Sequence, residues 1–365
     1  MPRTARAPKS ASVTISVLGA GPDADAQTRA LRGIDGVEAV RLQGSTDADM
    51  LDHLATTRSD AVAFTRAVPD LPGAIKRAVM AGRHVLVATP TALASKQLIA
   101  LDEVASRRGR VILFDAGGLG DERLPFVRKM TGGEQPLWKP RYVRSLRTGT
   151  RPGVSLDELA IADISLILSL AGATPTRVSA LSPRFDDESG AADVAMVTMV
   201  CETGVILRCD VSLIEPYFRQ EIAIACDGRT IVLDALDVRA PLQIQASARH
   251  RGPQPAGQWA ETISEHPVGV PAERVNAVAA EFVRAVRARD VSVTNARALA
   301  TASLVWETAR ESILRGGEMR PVSSDGEHAA QRRPEMRVIQ GGGRRSTDRP
   351  APDLTLVERT PRHSA

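Results

Sequence analysis

The sequence predicts an α/β protein in two parts. An N-terminal parallel sheet covered by helices is followed by an α+β region with an open, mainly antiparallel sheet. Two observations carry this. Up to about residue 130, short and nearly all-apolar strand candidates alternate with helical stretches, the mark of a parallel sheet buried on both faces. Beyond about residue 140 one helix is followed by a run of strand candidates that alternate apolar and polar, as in a sheet with one covered face. At 365 residues the chain has room for both cores.

In chain order, the first ten residues, MPRTARAPKS, are basic, and no apolar core with a small-residue cleavage site follows them. Residues 1–11 are expected to form a disordered arm, and the chain to be cytoplasmic. Strand candidates then fall at 12–18, 37–42, 61–64, 84–88 and 110–114, with helical stretches such as 71–81 and 92–107 between them. These make up an expected domain over 12–130. A helix at 156–171 opens the second domain, expected over 131–316. Its strand candidates are 176–182, 193–201, 204–213, 218–226, 229–235 and 241–248. Within 204–213, Val205, Leu207, Cys209 and Val211 alternate against Ile206, Arg208, Asp210 and Ser212. Two helices follow. At 272–288, Val275, Val278, Phe282 and Val286 form an apolar stripe; at 295–315, Leu299, Ala302, Trp306, Ala309 and Ile313 form another, with Thr294 as the expected N-cap. Both are expected to pack back toward the N-terminal domain. From 317 to 365 Gly, Pro, Arg and Ser dominate, and a disordered tail is expected.

The net charge of +4 comes from arginines scattered along the whole chain. No basic block is interleaved with aromatics, which argues against nucleic acid as a partner. No apolar run approaches the roughly 20 residues needed to cross a bilayer. The three cysteines, Cys201, Cys209 and Cys226, fit a reduced compartment, match no metal-site spacing and sit in strand-like stretches. They read as small core hydrophobes, and no metal is expected.

Directly after the first strand stands Gly19-Ala20-Gly21-Pro22-Asp23-Ala24. Gly19 permits a tight turn, Gly21 lets the backbone approach a pyrophosphate, and Ala24 is small enough for helix–strand packing. With a strand before and a helix after, this is the signature of a Rossmann-type dinucleotide site. A carboxylate normally ends the second strand and holds the ribose hydroxyls. Here the chain reads Arg41-Leu42-Gln43-Gly44-Ser45. Gln43 or Ser45 would hydrogen-bond a ribose more weakly, and Arg41 would favour a 2′-phosphate. Pro22 removes one N–H, and Asp23 adds negative charge beside the pyrophosphate position.

The stretch Ala81-Gly-Arg-His-Val-Leu-Val-Ala-Thr-Pro90 resembles the Gfo/Idh/MocA family (glucose–fructose oxidoreductase and inositol dehydrogenase type), which usually reads AGKHVLCEKP there. The resemblance extends from about residue 12 to 316, and 193–234 looks most like the branch acting on UDP-N-acetyl sugars. It implies an NAD or NADP cofactor held by Gly19, Ala20, Gly21, Ala24, Gln43, Thr65, Thr89 and Pro90, and a small sugar-like ligand. His84 reads as a buried strand residue. The family's lysine, histidine and aspartate positions are Thr89, Ala162 and Ser165 in this sequence, and Thr65-Arg66-Ala67 replaces the usual proline after the third strand. Thr89 and Ala162 cannot titrate near neutral pH, whereas alcohol oxidation needs a group to take the hydroxyl proton. Asp115 and Asp163 remain as candidate bases. Asp163 adjoins the lost histidine, but one helical step turns a side chain about 100° away.

Two functional readings follow. In the first the chain keeps the fold to bind a nucleotide, sugar or partner, with dehydrogenase activity lost or much reduced. In the second it is an active NAD(P)-dependent oxidoreductase on a sugar, nucleotide sugar or cyclitol with a reorganised site. Either form is expected to be a homo-oligomer through the open sheet, whose outward residues would include Met196, Met199 and Ile206 or their alternates.

Overall fold

The computed structural model describes residues 12–42, 47–66, 68–116, 118–119, 121–132, 136–149, 153–183, 193–237, 240–246, 263–266 and 274–323. The expected N-terminal arm, Gln43 and the chain beyond 323 lie outside them.

Strands β1 (Val13–Leu18), β2 (Val37–Arg41), β3 (Ala61–Phe64), β4 (His84–Val87) and β5 (Ile112–Phe114) form one parallel sheet in the order β2-β1-β3-β4-β5. Helices α1 (Pro22–Arg32), α2 (Asp47–Thr56), α3 (Leu71–Met80) and α4 (Ser95–Arg108) make the crossovers. Every residue of β3, β4 and β5 is buried, which is why these strands lack alternation. After β5, α5 (Arg123–Thr131) leads into β6 (Pro140–Thr148) and α6 (Leu156–Ala171). A reciprocal Ser155–Glu158 capping box starts α6.

The second sheet adds β7 (Pro175–Leu181), β8 (Val194–Cys201), β9 (Ile206–Ser212), β10 (Arg219–Cys226), β11 (Arg229–Asp234), β12 (Leu242–Ala246) and β13 (Ile263–His266). Helices α7 (Arg274–Ala288) and α8 (Ala296–Leu314) precede β14 (Arg320–Pro321). Its order is β13-β12-β11-β10-β6-β9-β8-β7-β14, antiparallel throughout except for the β6–β9 pair. The alternation expected in β9 is observed: Leu207, Cys209 and Val211 are fully buried in the core that contains α6, while Ile206 is exposed. Phe282 and its neighbours on α7 join the core built on β1 and α1. Helix α8 lies against α4, α6 and β7. The three cysteines are buried and free; burial pushes the Cys209 thiol well above its ordinary pKa and the Cys201 and Cys226 thiols up to about 11.

Several expectations are corrected. Strand β6 carries no period-two apolar signal, yet it is central, between β10 and β9. Its covered face carries Ser145 and Arg147, which serve a buried polar network instead of the apolar core. Met199 is fully buried on the covered face; Met196, at the opposite phase, is half-buried on the open one. Chain order runs past 317, because Arg320 and Pro321 pair with Val178 and Arg177 of β7. Asn295, not Thr294, is the N-cap residue of α8, and neither side chain caps it. Both bond the outer edge of β5 instead: Thr294 Oγ1 accepts from Ile112 N–H at 3.2 Å and Asn295 Oδ1 from Phe114 N–H at 2.8 Å, while Asn295 Nδ2 donates to the Phe114 carbonyl at 2.7 Å.

Candidate functional site

The glycine turn after β1 is shaped by close approach. Thr65, just beyond β3, donates its hydroxyl to the Leu18 carbonyl at 2.9 Å. A Cβ on Gly19 would lie 1.9 Å from that hydroxyl, and the Gly19 φ is +140°. Only glycine fits there. Gly21, at φ +81°, faces open space, so a ligand can approach its backbone. Gly21 is the N-cap of α1, and Pro22 in the first turn has no N–H to offer. The Asp25 N–H returns to the Gly21 carbonyl at 3.2 Å. Asp23 therefore presents an exposed N–H with no acceptor inside the helix, at its positive end, while the Ala24 N–H lies buried. Turn and helix end fit the pyrophosphate of a dinucleotide. Ala20 is exposed on the turn and Ala24 is fully buried beneath it. Thr65 is buried with its hydroxyl committed to β1, so it braces the turn and offers a ligand nothing. On the ribose side, Arg41 at the end of β2 is ion-paired with Asp25 of α1.

Thr89, Pro90, Asp115, Ala162 and Leu299 line one narrow cleft, too tight to admit a water molecule, where the carboxyl ends of β4 and β5 meet α6. The positions matching the family's lysine and histidine are thus brought together. Ser165 is half-buried one turn further along α6. Asp115 is in the cleft, but Arg274 of α7 holds its carboxylate at 2.7 Å. Arg274 also lines an adjoining hollow with Gly118, Leu166, Gln220 and Ala235. Sequence reasoning missed Arg274, which is 159 residues from its partner.

Asp163 is corrected as a candidate base. It is fully buried and points onto the second sheet, not into the cleft. Arg147 Nη2 reaches its Oδ1 at 2.5 Å and Arg147 Nε its Oδ2 at 2.9 Å. Gln220 Nε2 donates at 2.8 Å and Ser145 Oγ at 3.2 Å. The helical step from Ala162 to Asp163 accounts for this. Among the described residues no group of His, Cys, Asp and Glu side chains could hold a metal ion.

His84 is buried in β4 and outside the cleft. Its Nδ1 accepts from the Val111 N–H at 3.0 Å, and Arg110 stands 3.2 Å from Nε2. Burial, then the Arg110 charge, push its pKa down to about 4. In the unfolded chain it titrates near about 6.5. The folded state therefore resists a proton that the unfolded chain accepts. Its contribution to stability is intact above about pH 6.5 and is lost as pH falls toward about 4. His84→Asn should accordingly show a smaller loss of melting temperature than wild type between about pH 7 and about pH 5. Equal losses would remove His84 from the account.

The comparisons with known proteins agree with this architecture. Residues 116–232 match the model of the GFO/IDH/MocA C-terminal domain. No curated protein matches the chain in sequence. Among solved structures, UDP-N-acetylglucosamine 3-dehydrogenase GnnA from Acidithiobacillus ferrooxidans aligns with TM-score 0.65 at 20% identity, covering 83% of this chain and 99% of that one. GenD2 from gentamicin A biosynthesis, solved in complex with NAD, aligns with TM-score 0.64 at 16% identity, over 89% and 99%. The scyllo-inositol dehydrogenase of Lactobacillus casei aligns with TM-score 0.63 at 14% identity, over 87% and 100%. No helix among the described residues is long and apolar enough to cross a membrane. Residues 116–232 thus match a GFO/IDH/MocA C-terminal domain, and the chain around them shares the fold of these solved dehydrogenases.

Proposed function

We propose that this chain binds a nicotinamide dinucleotide on the Gly19–Gly21 turn and a sugar-like ligand in the adjoining cleft, with dehydrogenase activity lost or strongly reduced. The observation that carries this reading is the cleft itself. Thr89 and Ala162 face the same small space and neither titrates, while Asp115, which lines it, and Asp163, next to Ala162 in the chain, are both held by arginines. A bound nicotinamide ring supplies hydride acceptance or donation. The chain's share is to orient the ring and to take the alcohol proton, and only the first is provided for. The backbone of the Gly19–Gly21 turn and the exposed N–H of Asp23 hold the pyrophosphate; Thr89 and Pro90 wall the nicotinamide end. The sugar-like ligand class is suggested by the solved neighbours, named as sugar and inositol dehydrogenases.

The test separates binding from turnover. NADH and NADPH binding is followed by fluorescence, and turnover is assayed over a panel of sugars, inositols and nucleotide sugars. Binding is expected with a rate depressed by about 10²–10⁴-fold, the usual cost of a missing acid/base. Thr89→Lys with Ala162→His should recover part of it. Brisk turnover by the wild-type chain would overturn the reading, and Asp115→Asn would then ask if that carboxylate is the base.

The open face of the second sheet is the proposed contact with a second copy of the chain. It mixes Met196, Leu146 and Ile206 with charges already paired among themselves, Arg144 with Glu221 and Arg208 with Asp210. A face whose charges are already paired can be buried without leaving any of these four uncompensated, the desolvation cost being set against its apolar residues. Sedimentation at micromolar concentration should give a dimer or larger, and Ile206→Arg should shift it toward monomer; a wild-type monomer contradicts the proposal.

A further inference from the structure

We infer that Arg41 and Asp25 set the cofactor selectivity of this chain: Arg41 receives the ribose 2′-phosphate, Asp25 occupies it until then, and NADP(H) is preferred to NAD(H). The inference rests on the dinucleotide reading above and adds to it the identity of the cofactor and of the residues that choose it.

The geometry is local. The turn Gly19–Gly21 and the first turn of α1 present backbone N–H groups to a pyrophosphate, so the adenosine ribose lies toward the neighbouring strand β2. An NAD-type site ends that strand in a carboxylate, which accepts from the ribose hydroxyls and repels a 2′-phosphate. The described residues of β2 carry one carboxylate, Glu38, at the opposite end beside Thr14 of β1. At the carboxyl end stands the guanidinium of Arg41, and its partner comes from α1 as Asp25. The ribose position therefore carries a cation paired with a carboxylate where an NAD-type site carries a carboxylate alone.

Asp25 does not lock this cation away. The side chains are 38% and 55% exposed, so the pair is bathed in solvent and readily exchanged. A 2′-phosphate has close to two negative charges and three acceptor oxygens, and it matches the planar fork of an arginine better than one carboxylate does. It would displace Asp25, which swings into water. A plain ribose hydroxyl offers Arg41 no charge and cannot compete with Asp25. The ion pair is thus a competitor that the correct cofactor overcomes and the wrong one does not.

Calorimetric titration of the full chain with NADPH and NADH, and with 2′,5′-ADP against 5′-AMP, tests this without any turnover. NADPH should bind at least about 10-fold tighter than NADH, the scale of one charge-assisted contact. Arg41→Ala should remove that margin, so that NADPH binds no more tightly than NADH, because the phosphate contact is gone and Asp25 is left unpaired beside it. Asp25→Asn should strengthen NADPH and 2′,5′-ADP binding several-fold and leave NADH unchanged. If Asp25→Asn instead weakens both dinucleotides, Asp25 is a ribose ligand and the assignment is wrong. NADH binding that equals or exceeds NADPH binding, with Arg41→Ala neutral, overturns the selectivity but leaves the dinucleotide site standing. If neither dinucleotide binds, both fall. Melting curves of the two surface variants confirm that each is folded.

Discussion

Replacing Asp163 by leucine is expected to destabilise the protein by about 3–5 kcal/mol, the cost of leaving a buried charge without its partner. Asp163 is fully buried and neutralises Arg147, whose side chain is only 16% exposed. Removing the carboxylate also strands Gln220 Nε2 and Ser145 Oγ, both buried donors. The double replacement Asp163→Leu with Arg147→Met should recover most of the loss, because an ion pair exchanged for apolar groups of similar volume is often neutral. A residue of about 1–3 kcal/mol should persist from the orphaned Gln220 amide. Urea unfolding of the two single variants and the double variant measures the coupling. Additive losses would mean that the pair is not a unit. Because Ala162 in the cleft immediately precedes Asp163, the same network fixes the rotation of α6 about its axis.

The second large effect is expected at the glycine turn. Gly19→Ala sets a Cβ 1.9 Å from the Thr65 hydroxyl and forces an L side chain to φ +140°. Backbone strain and overpacking each cost about 1–3 kcal/mol, so a loss of about 2–6 kcal/mol is expected, together with loss of dinucleotide binding. Thr65→Ala removes the clashing oxygen. In the double variant the packing part should return while the backbone part stays, so partial rescue of stability is the expected result. A Gly19→Ala protein that melts like wild type would show that the turn can be rebuilt without Thr65.

The N-terminal sheet was legible because its inner strands, buried on both faces, leave short apolar runs; all five candidates became strands, the half-exposed edge strand β2 among them. In the second sheet, β9 was legible through its alternation, whereas β6 was not. Alternation reports an apolar face, and β6 uses its covered face to hold Asp163 with Ser145 and Arg147. The glycine turn was legible because close backbone approach demands particular residues at fixed spacing. The pairs that decide the chemistry were not. Arg41 with Asp25 and Arg274 with Asp115 are formed by topology, and no local pattern joins residues from different elements. The helical step that removes Asp163 from the cleft was a matter of geometry and could be read in advance; the destination of its side chain could not.

The amide of Asn295 on the rim of β5 has a consequence for the life of the chain before it is complete. An outermost strand with free N–H and C=O groups is a template on which another extended segment can add. In the finished molecule the outward N–H groups of Ile112 and Phe114 are taken by Thr294 and Asn295. Those two residues are synthesised some 180 positions later. Until they emerge, the nascent sheet carries an open margin made of Ile112, Leu113 and Phe114. Fragments ending short of residue 294 should therefore polymerise edge to edge, and the last helix works as a stopper as well as a strut.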